Sequence, residues 1–293
     1  MSVLVDQDTK IIVQGITGRA GTFYTDSGLR YGSNFVAGVR PGKGGGNHLD
    51  VPLFDRVRDA VAETGANASM ILVPAQNAAS AMIEAIEAEV KVIVCVTERV
   101  PVHDMIRVKD ALRQSDSLLI GPNSQGILSP GKCKIGVMST THAQAGSVGI
   151  ITRSASLASE LVAQTSHLGL GQSTTIGVGG DPIHGIGFRQ CLELFKDDPQ
   201  TRGVVLVGEI GGTEEEEAAD YLSSGDYGKP VVTLIVGRHA PKERRMGHAG
   251  TLSLFGSKSV SEKESRLAQA GVQVVENADM VAPAMRQAIR SRS

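Results

Sequence analysis

Short apolar runs rich in β-branched residues alternate with longer amphipathic segments along almost the whole chain. Near-continuous apolar strands separated by helices predict parallel sheets that helices cover on both faces. The predicted strands are Lys10–Gln14, Asn34–Val39, 69–73, 91–96, Leu118–Ile120, 148–152, 174–178, 204–208, Val231–Val236 and 272–275. The predicted helices include 77–89, 156–166, Phe188–Lys196, 214–222, 261–270 and 279–290. The alternation therefore predicts an α/β chain.

The alternation is interrupted once, and a length of 293 residues is typical of two domains. Residues 123–146 are rich in Gly, Pro, Ser and Thr and have weak periodicity, which is typical of a connection. We therefore predict a first doubly wound domain over 1–122, an interdomain crossing over 123–146 and a second doubly wound domain over 147–293.

Composition excludes several classes of function. A net charge of -2 and an aromatic content of 3% argue against a nucleic-acid surface. The three cysteines are widely spaced and show no metal-ligand pattern, so we expect reduced, buried thiols and no metal site. The polar N-terminus lacks the apolar core of a signal peptide, and no apolar run is long enough to span a membrane. We expect a cytoplasmic protein.

The first predicted strand runs into a glycine-rich turn, Gly15-Ile16-Thr17-Gly18-Arg19-Ala20-Gly21. Glycines between a strand and a helix let backbone amides approach a phosphate, although the spacing is not that of a dinucleotide fingerprint. The second strand is followed by Arg40 and Lys43, and cations there suit an extra ribose phosphate, as in coenzyme A or NADP. The alternative is a glycine-rich loop with a solvated lysine.

Three turns in the second half follow predicted strands and have the composition of anion sites: 152–156, 177–182 and 208–212. Glycines or a helix start in such turns leave amides free for an anion. Ser154 alone is more typical of a helix N-cap than of an anion site. Because the carboxyl ends of parallel strands meet at one edge of a sheet, we expect the three turns to converge.

One histidine has surroundings suited to chemistry. His248 lies in Met246-Gly247-His248-Ala249-Gly250, near Lys242, Arg244 and Arg245, and Glu209 lies in the turn 208–212. Neutral imidazole is a good nucleophile towards phosphorus, and a carboxylate that accepts from one ring nitrogen directs the other outward. The sequence predicts that His248 carries a phosphoryl group and that Glu209 orients it. The other six histidines are interpreted as structural or surface residues.

The chain resembles the α subunit of succinyl-CoA synthetase (succinate–CoA ligase) over essentially its whole length. The resemblance rests on the segments 15–21, 41–45, 120–123, 131–136, 179–182, 208–212 and 245–250. The resemblance implies a Rossmann-like CoA-binding domain followed by a flavodoxin-like ligase domain. It implies a β-subunit partner of ATP-grasp fold, in an αβ or α2β2 assembly, that holds Mg²⁺ and ATP or GTP.

The same resemblance assigns residues. His248 matches the phosphorylated histidine and Glu209 the carboxylate that steadies it. The CoA contacts match Thr17, Gly18, Arg19, Ala20, Lys43, Val96, Thr97 and Glu98. Substrate-side positions match Ser124, Ser154 and Ser159, with Ser154 at a helix start that stabilises the phosphohistidine. The implied reaction passes a phosphoryl group from His248 to an acid, and the thiol of CoA then displaces phosphate.

The sequence departs from the family pattern near the acid. Ser124-Gln125 stands for Cys-Pro, Ser159 for a tyrosine, and Arg99 for a glycine beside the CoA turn. These changes favour a larger or more polar acid than succinate, such as citrate, malate or a substituted dicarboxylate. Two other functions stay open from the residues alone: an NADP-dependent oxidoreductase, and a CoA-binding regulatory protein without turnover.

Overall fold

The computed structural model describes residues 2–225, 227–240, 247–248, 251 and 259–292. Within these residues the chain forms two seven-stranded sheets, one from each half, and each has helices on both faces. The predicted α/β class with two parallel-dominated sheets is confirmed.

The first sheet has the strand order β3-β4-β2-β1-β5-β6-β7. Its strands are β1 (Lys10–Gln14), β2 (Asn34–Val39), β3 (Asn47–His48), β4 (Val51–Phe54), β5 (Ala68–Ile71), β6 (Val92–Cys95) and β7 (Leu118–Ile120). Its helices are α1 (Arg19–Tyr31), α2 (Val57–Thr64), α3 (Ala75–Glu87) and α4 (Val102–Leu112). Only β3 pairs antiparallel, in a hairpin with β4 that the sequence prediction omitted. Two-residue β3 and the proline in β4 give no strand periodicity.

The second sheet has the order β14-β13-β12-β10-β11-β8-β9. Its strands are β8 (Gly126–Ser129), β9 (Cys133–Gly136), β10 (Ala145–Thr152), β11 (Gln172–Gly177), β12 (Gly203–Glu209), β13 (Val231–Val236) and β14 (Gln273–Val275). Its helices are α5 (Ala155–His167), α6 (Phe188–Lys196), α7 (Glu214–Ser223), α8 (Val260–Gln269) and α9 (Val281–Arg290), with a 3-10 turn at Ala278–Met280. Every residue of β11 and β12 is buried, as expected for strands covered on both faces.

The segment predicted as an interdomain crossing, 123–146, contains folded sheet. Strands β8 and β9 form an antiparallel hairpin whose residues are all buried, and β8 pairs with β11 at the edge of the second sheet. The hairpin also bonds to the first half, where the hydroxyl of Ser33 donates to the carbonyl of Lys134 at 3.0 Å. Strands of four residues carry too little periodicity to be recognised in a sequence.

Each sheet has a point where successive connections leave in opposite directions. In the first sheet this point lies between β1 and β5, and in the second between β10 and β12. Ligands of open α/β sheets bind at the carboxyl ends of the strands at such points. The turns after β1 and β10, which have the composition of phosphate or anion sites, both begin there.

The apolar core runs through both halves. One cluster of buried side chains includes Val13 and Ile120 from the first sheet and Ile127, Ile151 and Ile176 from the second. The two switch points are therefore held in one packed body, which fixes the turns of one half relative to those of the other.

Among the described residues, no helix combines the length and apolar character needed to cross a bilayer.

Candidate active site

His248 and Glu209 form a hydrogen-bonded pair at the edge of the second sheet. Glu209 is the last residue of β12, and its Oε2 lies 2.8 Å from Nδ1 of His248. The carboxylate side chain is 11% exposed and the imidazole 32% exposed. Because a carboxylate only accepts, Nδ1 carries the hydrogen, and the lone pair of the neutral ring lies on Nε2. Within the described part of the chain, Nε2 has no hydrogen-bond partner.

This hydrogen bond also changes the acidity of the ring. It raises the pKa of His248 above its ordinary value, against an opposing effect of burial. A higher pKa means that the ring is more basic and that its cationic form is more stable. The pair therefore favours formation of a bond between Nε2 and an electrophile. The arrangement is that of an oriented nucleophile.

The ring lies against a glycine that leaves it room. A Cβ added at Gly180 would lie 2.5 Å from both Cδ2 and Cγ of His248, closer than atoms can pack. The amide of Gly180 donates to the carbonyl of Asn123 at 3.2 Å, and the side-chain amide of Asn123 donates to Asp181 at 3.1 Å. The turn 177–182 therefore supports one face of the imidazole. In the same turn, burial raises the pKa of the Asp181 carboxyl.

Arg153, just after β10, joins this pair to a second one. Its Nη1 lies 3.4 Å from Oε1 of Glu209, and its Nη2 lies 2.9 Å from Oε2 of Glu214. Oε1 of Glu214 is in turn 3.0 Å from Nε2 of His184. Burial raises the pKa of Glu214, but the hydrogen bond from His184 and the charge of Arg153 outweigh it and lower the pKa to about 2. Glu214 is therefore ionised at neutral pH and keeps Arg153 in place.

A buried ion pair between Glu215 and Lys263 binds the backbone of the turn that contains Glu209. The amide of Glu209 donates to Oε1 of Glu215 at 3.0 Å, and Oε2 of Glu215 bonds to Nζ of Lys263. The same ammonium donates to the carbonyl of Gly211 at 2.7 Å, and the Lys263 side chain is 0% exposed. Helix α8 thus fixes the backbone that carries the Glu209 carboxylate.

Three cavities that share lining residues connect the first switch point to the second. The N-terminal cavity, about 640 Å³, is lined by Thr17, Gly18 and Arg40 among others. The bridging cavity, about 570 Å³, is lined by Ala20, Thr97 and His248 among others. Leu72 and Val73 line both of these cavities, so the two adjoin. The C-terminal cavity, about 710 Å³, shares His248 and Arg153 with the bridging cavity.

The N-terminal cavity has the features that a nucleotide phosphate requires. Gly18 lines this cavity and caps α1 without a side-chain hydrogen bond, so no cap occupies the first-turn amides. Arg40 donates through Nη1 to the hydroxyl of Thr17. A Cβ at Gly21 would lie 2.0 Å from the carbonyl oxygen of Gly15, which explains the third glycine of the motif. The turn, the helix start and the cation fit the phosphate end of CoA.

The start of α5 faces the histidine. Ser154 lines the C-terminal cavity and Ala155 the bridging cavity, each together with His248. The Ser154 hydroxyl accepts from the amide of Leu157 at 3.3 Å, so this side chain caps the helix. The positive end of a 13-residue helix is therefore directed at the region beside His248, where it favours an anion.

The predicted site residues are distributed among these cavities. Thr17 and Gly18 line the N-terminal cavity, and Ala20, Val96, Thr97, Glu98 and Ser124 line the bridging cavity. Arg19, Lys43 and Ser159 are exposed and do not belong to the described lining of the three cavities. The Ser124 hydroxyl donates to the carbonyl of Gly177 and accepts from the amide of Gly126, so it fixes the hairpin. Lys242, Arg244 and Arg245 lie outside the described residues.

Three residues of the site were not predicted from the sequence: Arg153, Glu214 and His184, which form the network behind His248. Arg40, predicted as a cation suited to a ribose phosphate, lines the N-terminal cavity, and Gln125, a departure from the family pattern, lines the bridging cavity. The position of Arg153 directly after a strand in the turn 152–156 was a signal of its role. The partners of Arg153 lie 56 and 61 residues away in the chain, and no local pattern identifies them.

Comparison with known proteins gives consistent matches. Residues 6–99 match the family described as CoA binding domain, and residues 151–273 match the CoA-ligase family. The chain is 46% identical over 279 residues to the succinate–CoA ligase [ADP-forming] subunit alpha of Aquifex aeolicus, covering 94% of this chain and 91% of that protein. It is 47% identical to subunit alpha 2 of Archaeoglobus fulgidus, covering 96% and 99%.

A solved structure has the same fold at low sequence identity. The Methanosaeta concilii ATP citrate lyase, solved with (3S)-citryl-CoA, superposes with a TM-score of 0.89 at 21% identity. The match covers 99% of this chain and 51% of that chain, so this chain spans about half of the larger protein. The arrangement of the two sheets is therefore a known architecture.

Proposed function

This chain belongs to the family of succinate–CoA ligase alpha subunits, and on that premise we propose that it forms acyl-CoA thioesters through a phosphorylated His248. The observation that carries the proposal is the 2.8 Å bond between Glu209 and Nδ1 of His248. This bond leaves Nε2 without a partner among the described residues, in a ring that lines both the bridging and the C-terminal cavities.

The first step is phosphoryl transfer to Nε2. The Nε2 lone pair forms an N–P bond, the bond from phosphorus to the nucleoside diphosphate breaks, and the ring becomes cationic. Glu209 stabilises that cation through the hydrogen bond at Nδ1, since the bond strengthens as the ring gains positive charge. The amides at the start of α5 stabilise the phosphoryl oxygens.

The second step returns the histidine to its neutral form. A carboxylate oxygen of the acid forms a bond to phosphorus, the N–P bond breaks, and the electron pair returns to Nε2. Arg153 and Gly180 keep the ring in place throughout, because one holds Glu209 and the other leaves space for the ring face. The resulting acyl phosphate has an activated carbonyl carbon, and the thiol of CoA displaces inorganic phosphate from it, with the thiol proton leaving on phosphate.

Coenzyme A fits the N-terminal and bridging cavities taken together. Thr17, Gly18 and Arg40 would hold its phosphates, and the passage over Leu72 and Val73 leads the thiol arm towards His248. The nucleotide is assigned to a partner subunit of ATP-grasp fold that binds Mg²⁺ with ATP or GTP. Sedimentation of the copurified complex distinguishes an αβ from an α2β2 assembly.

The test is to label the complex of this chain and its partner with ATP or GTP carrying radioactive γ-phosphate. We expect protein-bound label that is labile in acid and stable in base, and that CoA with an acid discharges as inorganic phosphate. His248→Asn abolishes the label, whereas His184→Asn retains it as the matched control. Label that persists in His248→Asn, or a bound partner without any label, contradicts the proposal.

A further inference from the structure

Arg99 has an unusual backbone for an arginine. It follows the turn after β6 with φ 63°, in the left-handed region that glycine occupies without cost. Non-glycine residues in this region concentrate at functional sites, where the surrounding structure keeps them despite the strain. The guanidinium is therefore held at this place in the fold although a glycine would satisfy the backbone better.

The place is the bridging cavity. Arg99 lines it together with Glu98 and His248, and it does not line the N-terminal cavity, where Arg40 and Thr17 lie. The ion pair that the structure gives Arg99 joins its Nε to Glu98 at 4.0 Å, between side chains that are 87% and 65% exposed. Pairs of this kind contribute little and are easily exchanged for another anion.

The other cation of the described lining is already committed. Arg153 lies 2.9 Å from Glu214 and 3.4 Å from Glu209, with its side chain 8% exposed. It neutralises the two carboxylates of the histidine network. An anion that enters the bridging cavity beside His248 therefore finds its complementary charge at Arg99.

A second feature of the same cavity points to an oxygen-bearing ligand. Gln125 lines the cavity, is 6% exposed, and its Nε2 has no hydrogen-bond partner. A buried amide hydrogen without an acceptor is costly, and an oxygen of a ligand in this cavity would supply the acceptor. Arg99 and Gln125 thus give the cavity one charged donor and one neutral donor.

We infer that Arg99 is a specificity-determining residue that binds the non-reacting carboxylate of the acid substrate. The inference rests on the proposed function, in which the reacting carboxylate lies at phosphorylated His248. In the proposed function the phosphates of CoA lie in the N-terminal cavity and the phosphoryl group on His248 lies at the start of α5, so the anion left for Arg99 is the second carboxylate of the acid. The substrate class is therefore a di- or tricarboxylic acid, with an oxygen substituent placed for Gln125.

The experiment compares matched acids in the copurified complex. Succinate, malate and citrate are measured against butyrate, which has the length of succinate and lacks its second carboxylate. Arg99→Gly should lower kcat/KM for the polycarboxylates by roughly tenfold to hundredfold, the usual effect of losing a charged hydrogen bond. The values for butyrate and the KM for CoA should stay unchanged, and Arg99→Lys should retain part of the preference.

The controls separate binding from folding. Arg99→Gly relieves the backbone, so its thermal midpoint should not fall, and Arg107→Ala on α4 removes an exposed arginine outside the cavity without effect. Unchanged acid preference in Arg99→Gly overturns the inference, as does an equal rise in the KM for CoA with every acid or loss of the partner subunit. Absence of thioester from any acid in the wild-type complex overturns the proposed function instead.

Discussion

Two histidine–glutamate pairs share one arginine in this protein, and they differ in exposure. His248 bonds to Glu209 through Nδ1, is 32% exposed, and lines two cavities. His184 bonds to Glu214 through Nε2 at 3.0 Å, and its Nδ1 lies 3.2 Å from the carbonyl oxygen of Ile186. Both nitrogens of His184 are engaged, and its side chain is 5% exposed.

The difference teaches what makes a histidine reactive. A neighbouring carboxylate is common to both pairs, so the carboxylate alone does not define a nucleophile. His248 differs in having a second ring nitrogen without a partner among the described residues, in a ring that lines two cavities. It also lies near a helix start that can stabilise an attached anion. We call His248–Glu209 the outer pair and His184–Glu214 the inner pair. In the inner pair the imidazole binds Glu214, and Glu214 binds Arg153.

Among substitutions of the groups that orient the two histidines, Glu209→Gln should have the largest effect on the phosphorylation rate of His248. The amide still accepts from Nδ1, but the charge that stabilises the cationic phosphohistidine is lost. We expect the rate of His248 phosphorylation to fall about a hundredfold, the upper range for a lost orienting partner. Rapid-quench measurement of labelled protein gives the rate.

The pH dependence of the same variant sharpens this prediction. Below its pKa the ring is protonated and Nε2 has no lone pair, so the rate rises with pH through that pKa. The Glu209 hydrogen bond raises the pKa of His248, so Glu209→Gln should move the rising limb to lower pH. Glu160→Gln, on the exposed face of α5, is the control. An unchanged rate and an unmoved limb would remove Glu209 from the mechanism.

Gly180→Ala tests the space around the outer ring. The new Cβ would lie 2.5 Å from the imidazole, so the ring or the turn 177–182 must move by about 1 Å. Misplacement on that scale can cost up to about a hundredfold, and we expect about tenfold because the ring can partly rotate back. Gly225→Ala, where a Cβ meets nothing within 4 Å, is the matched control. Full phosphorylation activity in Gly180→Ala would contradict the assigned ring position.

The outer pair was predictable from the sequence and the inner network was not. Glycines on both sides of His248 indicated room for a ligand, and Glu209 followed a strongly apolar strand whose end could be located. Arg153, Glu214 and His184 meet only because β10, β11 and β12 place their carboxyl ends together. Arg153 lies 31 residues from His184 and 61 residues from Glu214 in the chain. Periodicity identifies strands and does not report which side chains pair across such separations.

The same limit applies to the fold. Strands β1, β2 and β13 have the predicted bounds because each is built around a short apolar run. The hairpin of β8 and β9 was assigned to a crossing, since its register depends on pairing with β11 and on bonds to Ser33 rather than on local pattern. The substrate roles of Ser124, Ser154 and Ser159 stay predictions, and the exposed position of Ser159 gives it the least support.

The smallest effect on chemistry is expected from His184→Asn, in the inner pair. Shortening this side chain leaves a buried carboxylate oxygen of Glu214 without its partner, which costs about 1–3 kcal/mol of unfolding free energy. Arg153 still holds Glu214 at 2.9 Å, so Glu209 keeps its position and phosphorylation of His248 should change by less than about threefold. Urea unfolding gives the stability, and His167→Asn on the exposed face of α5 should change neither quantity. If His184→Asn instead slowed phosphorylation as strongly as Glu209→Gln, the two pairs would act as one catalytic unit, and the division between an outer nucleophile and an inner anchor would be wrong.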